Sequence, residues 1–235
     1  MKKLLLLALP LVVFSGVANA AACLQNQTLA QLVALGATGC SIGDKVFQNF
    51  TGTFAGADAT DTFTFTGPLG PTLAPFYQLN LNAGTAGVLT APLSFSYQVR
   101  VDAAVNAVLN PGTTAAITRV TGGIQDNGNA GSGAQLLKGV TVNTGSGSCG
   151  GVNYAETAGT TTTNTACNLT GATLITVVES FTYTGTVGAS SVTGFGNTFT
   201  QTLTPTTGVP EPMSMLLLGS GLLGFGFIGR KRFVR

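Results

Sequence analysis

Apolar and polar side chains alternate with period two along much of this chain. The alternation is cleanest over residues 93–101, where Leu93, Phe95, Tyr97, Val99 and Val101 face one way and Ser94, Ser96, Gln98 and Arg100 the other. An antiparallel strand with one face on a core and one face in water has this pattern. Residues 62–66 repeat it with Phe63 and Phe65. Residues 77–81 repeat it with Tyr77, Leu79 and Leu81 against Gln78 and Asn80. A turn at Ser41, Ile42, Gly43 and Asp44 should lead into a strand over 46–54. Weaker strands are expected at 115–120, 136–142, 174–184, 187–193 and 198–203. Residues 24–35 break the pattern: Thr28 is placed to cap a short helix carrying Leu29, Leu32, Val33 and Leu35, which Gly36 and Gly39 stop. About ten short strands parted by Gly-rich turns predict an all-β fold, an antiparallel β-sandwich of jelly-roll type.

Both ends of the chain depart from this alternation. Lys2 and Lys3 precede an apolar run over 4–13, and Ala18-Asn19-Ala20 follows. This is the layout of a secretory signal peptide over 1–20, cut after Ala20. Cys23 follows Ala20, Ala21 and Ala22 and lacks the Leu-like residue a lipoprotein signal requires. At the other end, Pro210-Glu211-Pro212 precedes an apolar run over 213–228, and the basic residues Arg230, Lys231, Arg232 and Arg235 close the chain. The prolines cannot continue a helix. The apolar run can pair its backbone internally, as a bilayer demands. Its roughly 16 residues reach about 24 Å, short of the roughly 30 Å hydrocarbon core. The basic end should stay cytoplasmic. The expected organisation is a signal peptide over 1–20, a β-rich exported passenger over 21–208 and a C-terminal tail with a transmembrane helix over 209–235.

This three-part tail resembles the PEP-CTERM sorting signal of Gram-negative bacteria. The resemblance implies that exosortase, a membrane-embedded cysteine protease, recognises Pro210, Glu211 and Pro212, and that residues 230–235 are the basic end of the signal. It implies export across the inner membrane, a membrane-anchored precursor with a transient or retained span, and delivery to the cell surface or extracellular matrix. Exopolysaccharide or biofilm is the associated material. The segment from Gly39 through Ile42-Gly43-Asp44-Lys45 to Phe50 is also similar to the opening of a group of exported PEP-CTERM proteins, and that likeness implies no activity.

Composition narrows the passenger's chemistry. Over 21–208 the basic residues are Lys45, Arg100, Arg119 and Lys138, against Asp44, Asp58, Asp61, Asp102, Asp126, Glu156 and Glu179. The net charge of +2 on the whole chain therefore comes from the ends. With no basic patch there is no footprint for nucleic acid. Cys23, Cys40, Cys149 and Cys167 are an even set in an exported segment, which suggests two disulfides. Three connectivities are open. Nearness favours Cys23 with Cys40 and Cys149 with Cys167, each closing a loop of about 17 to 19 residues and stabilising by about 3 kcal/mol.

The chain has no histidine. A Ser-His-Asp triad is excluded, a cysteine nucleophile lacks its usual base, and a zinc site is not expected. No cofactor and no enzyme activity are expected. A glycosidase would need two carboxylates about 5 to 10 Å apart. Asp58 and Asp61 sit in a Gly/Ala/Thr turn and read as solvated. Asp44 beside Lys45 reads as a solvated turn pair. Asp126, Asn127 and Asn129 lie in a glycine-rich stretch, 122–133, that reads as a hairpin loop and departs from EF-hand spacing. Residues 145–168 read as a second loop. Tyr77, Tyr97, Tyr154 and Tyr183 read as strand-face or core residues. The leading expectation is a non-enzymatic surface or matrix protein. The alternatives are a carbohydrate- or calcium-binding module and a divergent glycan hydrolase.

Overall fold

The computed structural model describes residues 20–69, 76–126, 134–146, 148–157, 160–161, 166–183 and 192–206. Residues 1–19 of the expected signal peptide, Asn127 and Asn129, and the tail from 207 onward lie outside the described residues. Among the described residues thirteen strands run in chain order as β1 (Ala21–Ala22), β2 (Gln27–Thr28), β3 (Cys40–Ile42), β4 (Lys45–Gly52), β5 (Thr62–Leu69), β6 (Phe76–Asn82), β7 (Leu93–Val101), β8 (Thr113–Asp126), β9 (Ala134–Ser146), β10 (Ser148–Thr157), β11 (Thr160–Thr161), β12 (Cys167–Tyr183) and β13 (Val192–Pro205). Two short helices, α1 (Leu29–Ala34) and α2 (Ala103–Leu109), interrupt them.

The strands form one sheet curled back on itself into two facing layers. One layer runs β1-β3-β4-β7-β12-β9-β10, and the other runs β2-β5-β6-β13-β8. Strand β12 joins them: Leu174 to Phe181 pair with β7, whereas Cys167 and Asn168 pair with β8. Among the described strands all pairings are antiparallel except β1 with β3. The two inner faces meet through aromatic rings. Phe63 of β5 lies 5.3 Å from Phe95 of β7, Phe47 of β4 lies 5.2 Å from Phe65 of β5, and Phe195 of β13 lies 5.9 Å from Phe95. This is the sandwich expected from the alternation, closed by interdigitating inward side chains.

Thr28 caps α1 through a capping box: its hydroxyl accepts from the Gln31 N–H, and the Gln31 side chain accepts from the Thr28 N–H at 2.8 Å. The second helix has little apolar periodicity, and Val108 and Leu109 are exposed. It forms behind Asp102, whose carboxylate accepts from the backbone N–H groups of Ala104 and Val105.

Several turn and loop expectations are corrected. Ser41 and Ile42 belong to β3, and the turn narrows to Gly43 and Asp44, because Ile42 pairs directly with Lys45. Gly43 has φ +54°, the left-handed region a two-residue hairpin requires. Gly122 to Asp126 are strand, paired to β13 from Gly122–Asn197 up to Asp126–Val192. The stretch read as a loop over 145–168 contains β10, which pairs with β9. Glycine and threonine richness misled there: the ladder bonds are made by backbone groups, which composition does not weaken enough to prevent pairing. The expected strand over 187–193 enters the described residues only at Val192, the first residue of β13.

Candidate functional site

The alternation that builds the core also carries polar residues inward. On β9, Leu136, Lys138 and Val140 share the inner face. On β12, Ile175, Val177, Glu179 and Phe181 share it. On β13, Phe195, Asn197, Phe199, Gln201 and Leu203 share it. Two buried clusters result, each with a lysine, a carboxylate, a tyrosine and a carboxamide.

The first cluster sits at the β3–β4 hairpin. Asp44 and Lys45 are both 0% exposed, which overturns their reading as a solvated pair. The hairpin is so tight that its tip tucks beneath Tyr77 of β6. A β-carbon on Gly43 would stand 3.1 Å from the Tyr77 ring. Lys45 Nζ donates to Asp44 Oδ1 at 2.7 Å, and Tyr77 OH donates to the same oxygen at 2.6 Å. Lys45 Nζ also lies against Gln201 Oε1 and 4.6 Å from the centre of the Tyr77 ring. Burial pulls the Lys45 ammonium down to about 8, with Asp44 opposing the shift. Burial, with Asp44 beside it, pushes the Tyr77 hydroxyl well up.

The second cluster lies between the layers. Glu179 and Lys138 are cross-strand partners on β12 and β9, both on the inner face and both buried. Tyr97 OH donates to Glu179 Oε1 at 3.2 Å, and Asn197 Nδ2 donates to Tyr97 OH at 2.7 Å and to Glu179 Oε1. Gly122 of β8 makes room for the lysine. A β-carbon there would collide with Lys138 Nζ and come within 2.8 Å of Asn197 Oδ1. Lys138 Nζ and Asn197 Oδ1 therefore converge on one point. Burial pushes the Glu179 carboxyl up and the Lys138 ammonium down, and each partner's charge opposes the other's shift. Burial, then the Glu179 charge, pushes Tyr97 up. Asn197 Oδ1, Glu179 Oε2, Asp44 Oδ2 and Gln201 Nε2 have no hydrogen-bond partner among the described residues.

The other singled-out residues have structural surroundings. Asp58 and Asp61 are each 1% exposed, correcting the solvated-turn expectation. Asp58 Oδ1 accepts from the Thr90 N–H at 3.0 Å and from the Thr90 hydroxyl at 2.8 Å. Asp61 Oδ1 accepts from the Gly84 N–H at 2.8 Å. The two carboxylates tether the segment before β7 to the 3-10 turn Gly56–Thr60. Burial raises Asp61 to about 6; the Gly84 bond opposes the shift and the Asp58 charge adds to it. The cysteines pair as Cys23–Cys40 and Cys149–Cys167, with Cα separations of 4.7 and 5.7 Å. Tyr77 and Tyr97 are core residues, and the side chains of Tyr154 and Tyr183 lie outside the description. Among the described residues no three His, Cys, Asp or Glu side chains gather as a metal site. No described helix is long and apolar enough to cross a membrane. On the outer face of β6, β13 and β8, a shallow hollow of about 220 Å³ is lined by Gln78, Asn80, Thr121, Gly123, Gly196 and Thr198.

Residues 208–232 match the family described as a PEP-CTERM protein-sorting motif. The chain carries a PEP-CTERM sorting motif. The match covers the tail that holds Pro210, Glu211, Pro212, Arg230, Lys231 and Arg232, and it stops before Arg235. A PEP-CTERM motif marks an exported protein sorted to the cell envelope by exosortase. No curated protein matches the chain. Among solved structures, TmCBM61 in complex with β-1,4-galactotriose is similar at 14% identity, over 61% of this chain and 88% of that chain, with a TM-score of 0.27. A similarity that low carries no argument about the site. The PEP-CTERM motif lies just beyond β13, the strand that supplies Asn197 and Gln201 to the two clusters.

Proposed function

We propose that this is a non-enzymatic exosortase substrate whose β-sandwich passenger is delivered to the cell surface or extracellular matrix, where it associates with exopolysaccharide. The observation that carries the reading is the sorting motif over 208–232. Exosortase acts at or near Pro210-Glu211-Pro212 while the apolar run over 213–228 and the basic residues to Arg235 hold the precursor in the inner membrane of a Gram-negative cell. Two features of the passenger support the route. Strand β1 begins at Ala21, beside the proposed signal-peptidase cut, and both cysteine pairs are oxidised, as suits an exported domain. Outward positions such as Gln78, Asn80, Gln98 and Thr198 carry amide and hydroxyl groups that hydrate well and suit weak, repeated contacts with polysaccharide.

The test is the intact mass and cell fraction of the native protein, compared with a variant in which Pro210, Glu211 and Pro212 are all alanine. The wild type should lose both ends and reach the surface or medium, while the variant stays in the membrane as a precursor. If both keep residues 209–235 and stay in the inner membrane, the reading fails.

The hollow over Gln78, Asn80 and Thr198 favours a second reading, a carbohydrate-binding module with a defined site. Saturable binding on a glycan array that is lost in Asn80→Ala would support it. Flat, unsaturable binding would leave the structural role.

A further inference from the structure

The geometry points to two intramolecular isopeptide cross-links, Lys45 to Gln201 and Lys138 to Asn197, each formed by the protein itself with the neighbouring carboxyl carrying the proton. Both lysines belong to one layer of the sandwich, on β4 and β9. Both carboxamides belong to β13 in the other layer. In the first cluster the amine is already against the carboxamide, and Asp44 Oδ1 is 2.7 Å from that amine. In the second, Lys138 Nζ and Asn197 Oδ1 converge over Gly122, and Glu179 touches the amide nitrogen of Asn197. The same four side-chain types recur in both places in a chain whose passenger has two lysines, and both lysines are buried in these clusters.

The chemistry balances without an added reagent. In each cluster the proton passes from the lysine ammonium to the neighbouring carboxylate, leaving a neutral amine and a carboxylic acid. Burial favours the neutral amine at both lysines and the protonated acid at Glu179. The amine lone pair attacks the carboxamide carbon (Cδ of Gln201, Cγ of Asn197), forming the new C–Nζ bond. The carboxyl gives its proton to the departing amide nitrogen and takes one from the attacking nitrogen. The old C–N bond breaks and one ammonia leaves, so the carboxyl ends as it began. Holding nucleophile and carbonyl together in a water-free core replaces the activation an enzyme would supply. Each product pins β13 to the opposite layer.

The test is proteolytic digestion and tandem mass spectrometry of the native, processed protein after reduction of its disulfides. Lys45 and Gln201 should appear in one branched species whose mass is that of the two peptides less one ammonia, and so should Lys138 and Asn197. The isosteric variant Glu179→Gln keeps both reacting side chains but removes the proton carrier. It should leave Lys138 and Asn197 in linear peptides while the Lys45–Gln201 species persists. Recovery of either lysine in a linear, unmodified wild-type peptide overturns the cross-link at that cluster, whether or not any variant folds. A Glu179→Gln protein cross-linked like the wild type overturns the role given to Glu179. Failure of exosortase sorting would leave this result untouched, because the clusters lie wholly within the described passenger.

Discussion

Phe95→Ala should remove about 4 kcal/mol of stability from the passenger. Phe95 is 3% exposed at the centre of the sandwich. Its ring lies 5.3 Å from Phe63, 5.8 Å from Phe54 and 5.9 Å from both Tyr97 and Phe195, so it bridges the two layers as well as packing along its own strand. Truncating a buried phenylalanine costs about 3–5 kcal/mol through lost transfer energy and the cavity left behind. The four ring contacts, each of order 0.5–1.5 kcal/mol, overlap with that figure and place the loss in its middle or upper part. In a domain of this size about 4 kcal/mol corresponds to a fall of roughly 8–16 °C in Tm. Urea unfolding of the processed protein, followed by tyrosine fluorescence and circular dichroism, measures it. Val178→Ala on the exposed face of neighbouring β12 is the control and should stay within about 0.5 kcal/mol. A Phe95→Ala loss under about 1.5 kcal/mol with an unchanged m-value would refute the two-layer core.

Two further outcomes follow from the geometry. Asp61, raised to about 6 when folded from 3.8, keeps its proton in the native state at pH values where the unfolded chain has lost it. Stability should therefore fall by about 1–2 kcal/mol as pH rises from about 4 to about 6 and level off above. A Tm-against-pH series in which Asp61→Asn follows the wild type throughout would reject this. Replacing both cysteines of either disulfide by serine should cost about 3 kcal/mol, and nearly the same for the two pairs, because their sequence separations are 17 and 18. Urea midpoints measure this, and a negligible loss for either pair would count against it.

The strands were legible because alternation records which side chains the core removes from water. Residues 93–101, 62–66 and 77–81 fall where expected, and the inward sets match residue for residue. The buried polar clusters were legible in principle by the same signal. Lys138 stands between Leu136 and Val140, Glu179 between Val177 and Phe181, and Asn197 between Phe195 and Phe199, each in phase with the apolar face. A charge in phase with a core face must find a partner across the sandwich. Sequence alone does not say which strands face one another, so Lys138 could not be matched to Asn197, nor Lys45 to Gln201. The pair Asp44 and Lys45 was hidden differently. Adjacent opposite charges at a turn are ordinarily solvated, and only the packing of Tyr77 over the hairpin removes them from water.

The position of β13 links the passenger to its sorting tail. This strand lies inside its layer, paired to β6 on one side and β8 on the other, and its ladder with β8 continues to Pro205. Thr206 is still held, donating its N–H to Gly112 O at 2.8 Å. Four residues then lie between Pro205 and Pro210, and five residue steps reach at most about 17 Å. Chain length alone keeps Pro210 within that reach of Pro205. The last five residues of β13, Gln201 to Pro205, pair with β8 alone, so peeling them away would break that ladder and draw Gln201 and Leu203 out of the core. The sorting motif follows the end of the sandwich where β13 leaves and β8 begins, so that end lies nearest in the chain to the segment exosortase reads. Residues 113–114 of β8, the α2–β8 turn at Gly112 and the end of β13 form that face, so tolerance to substitution there should be set by processing as much as by the fold.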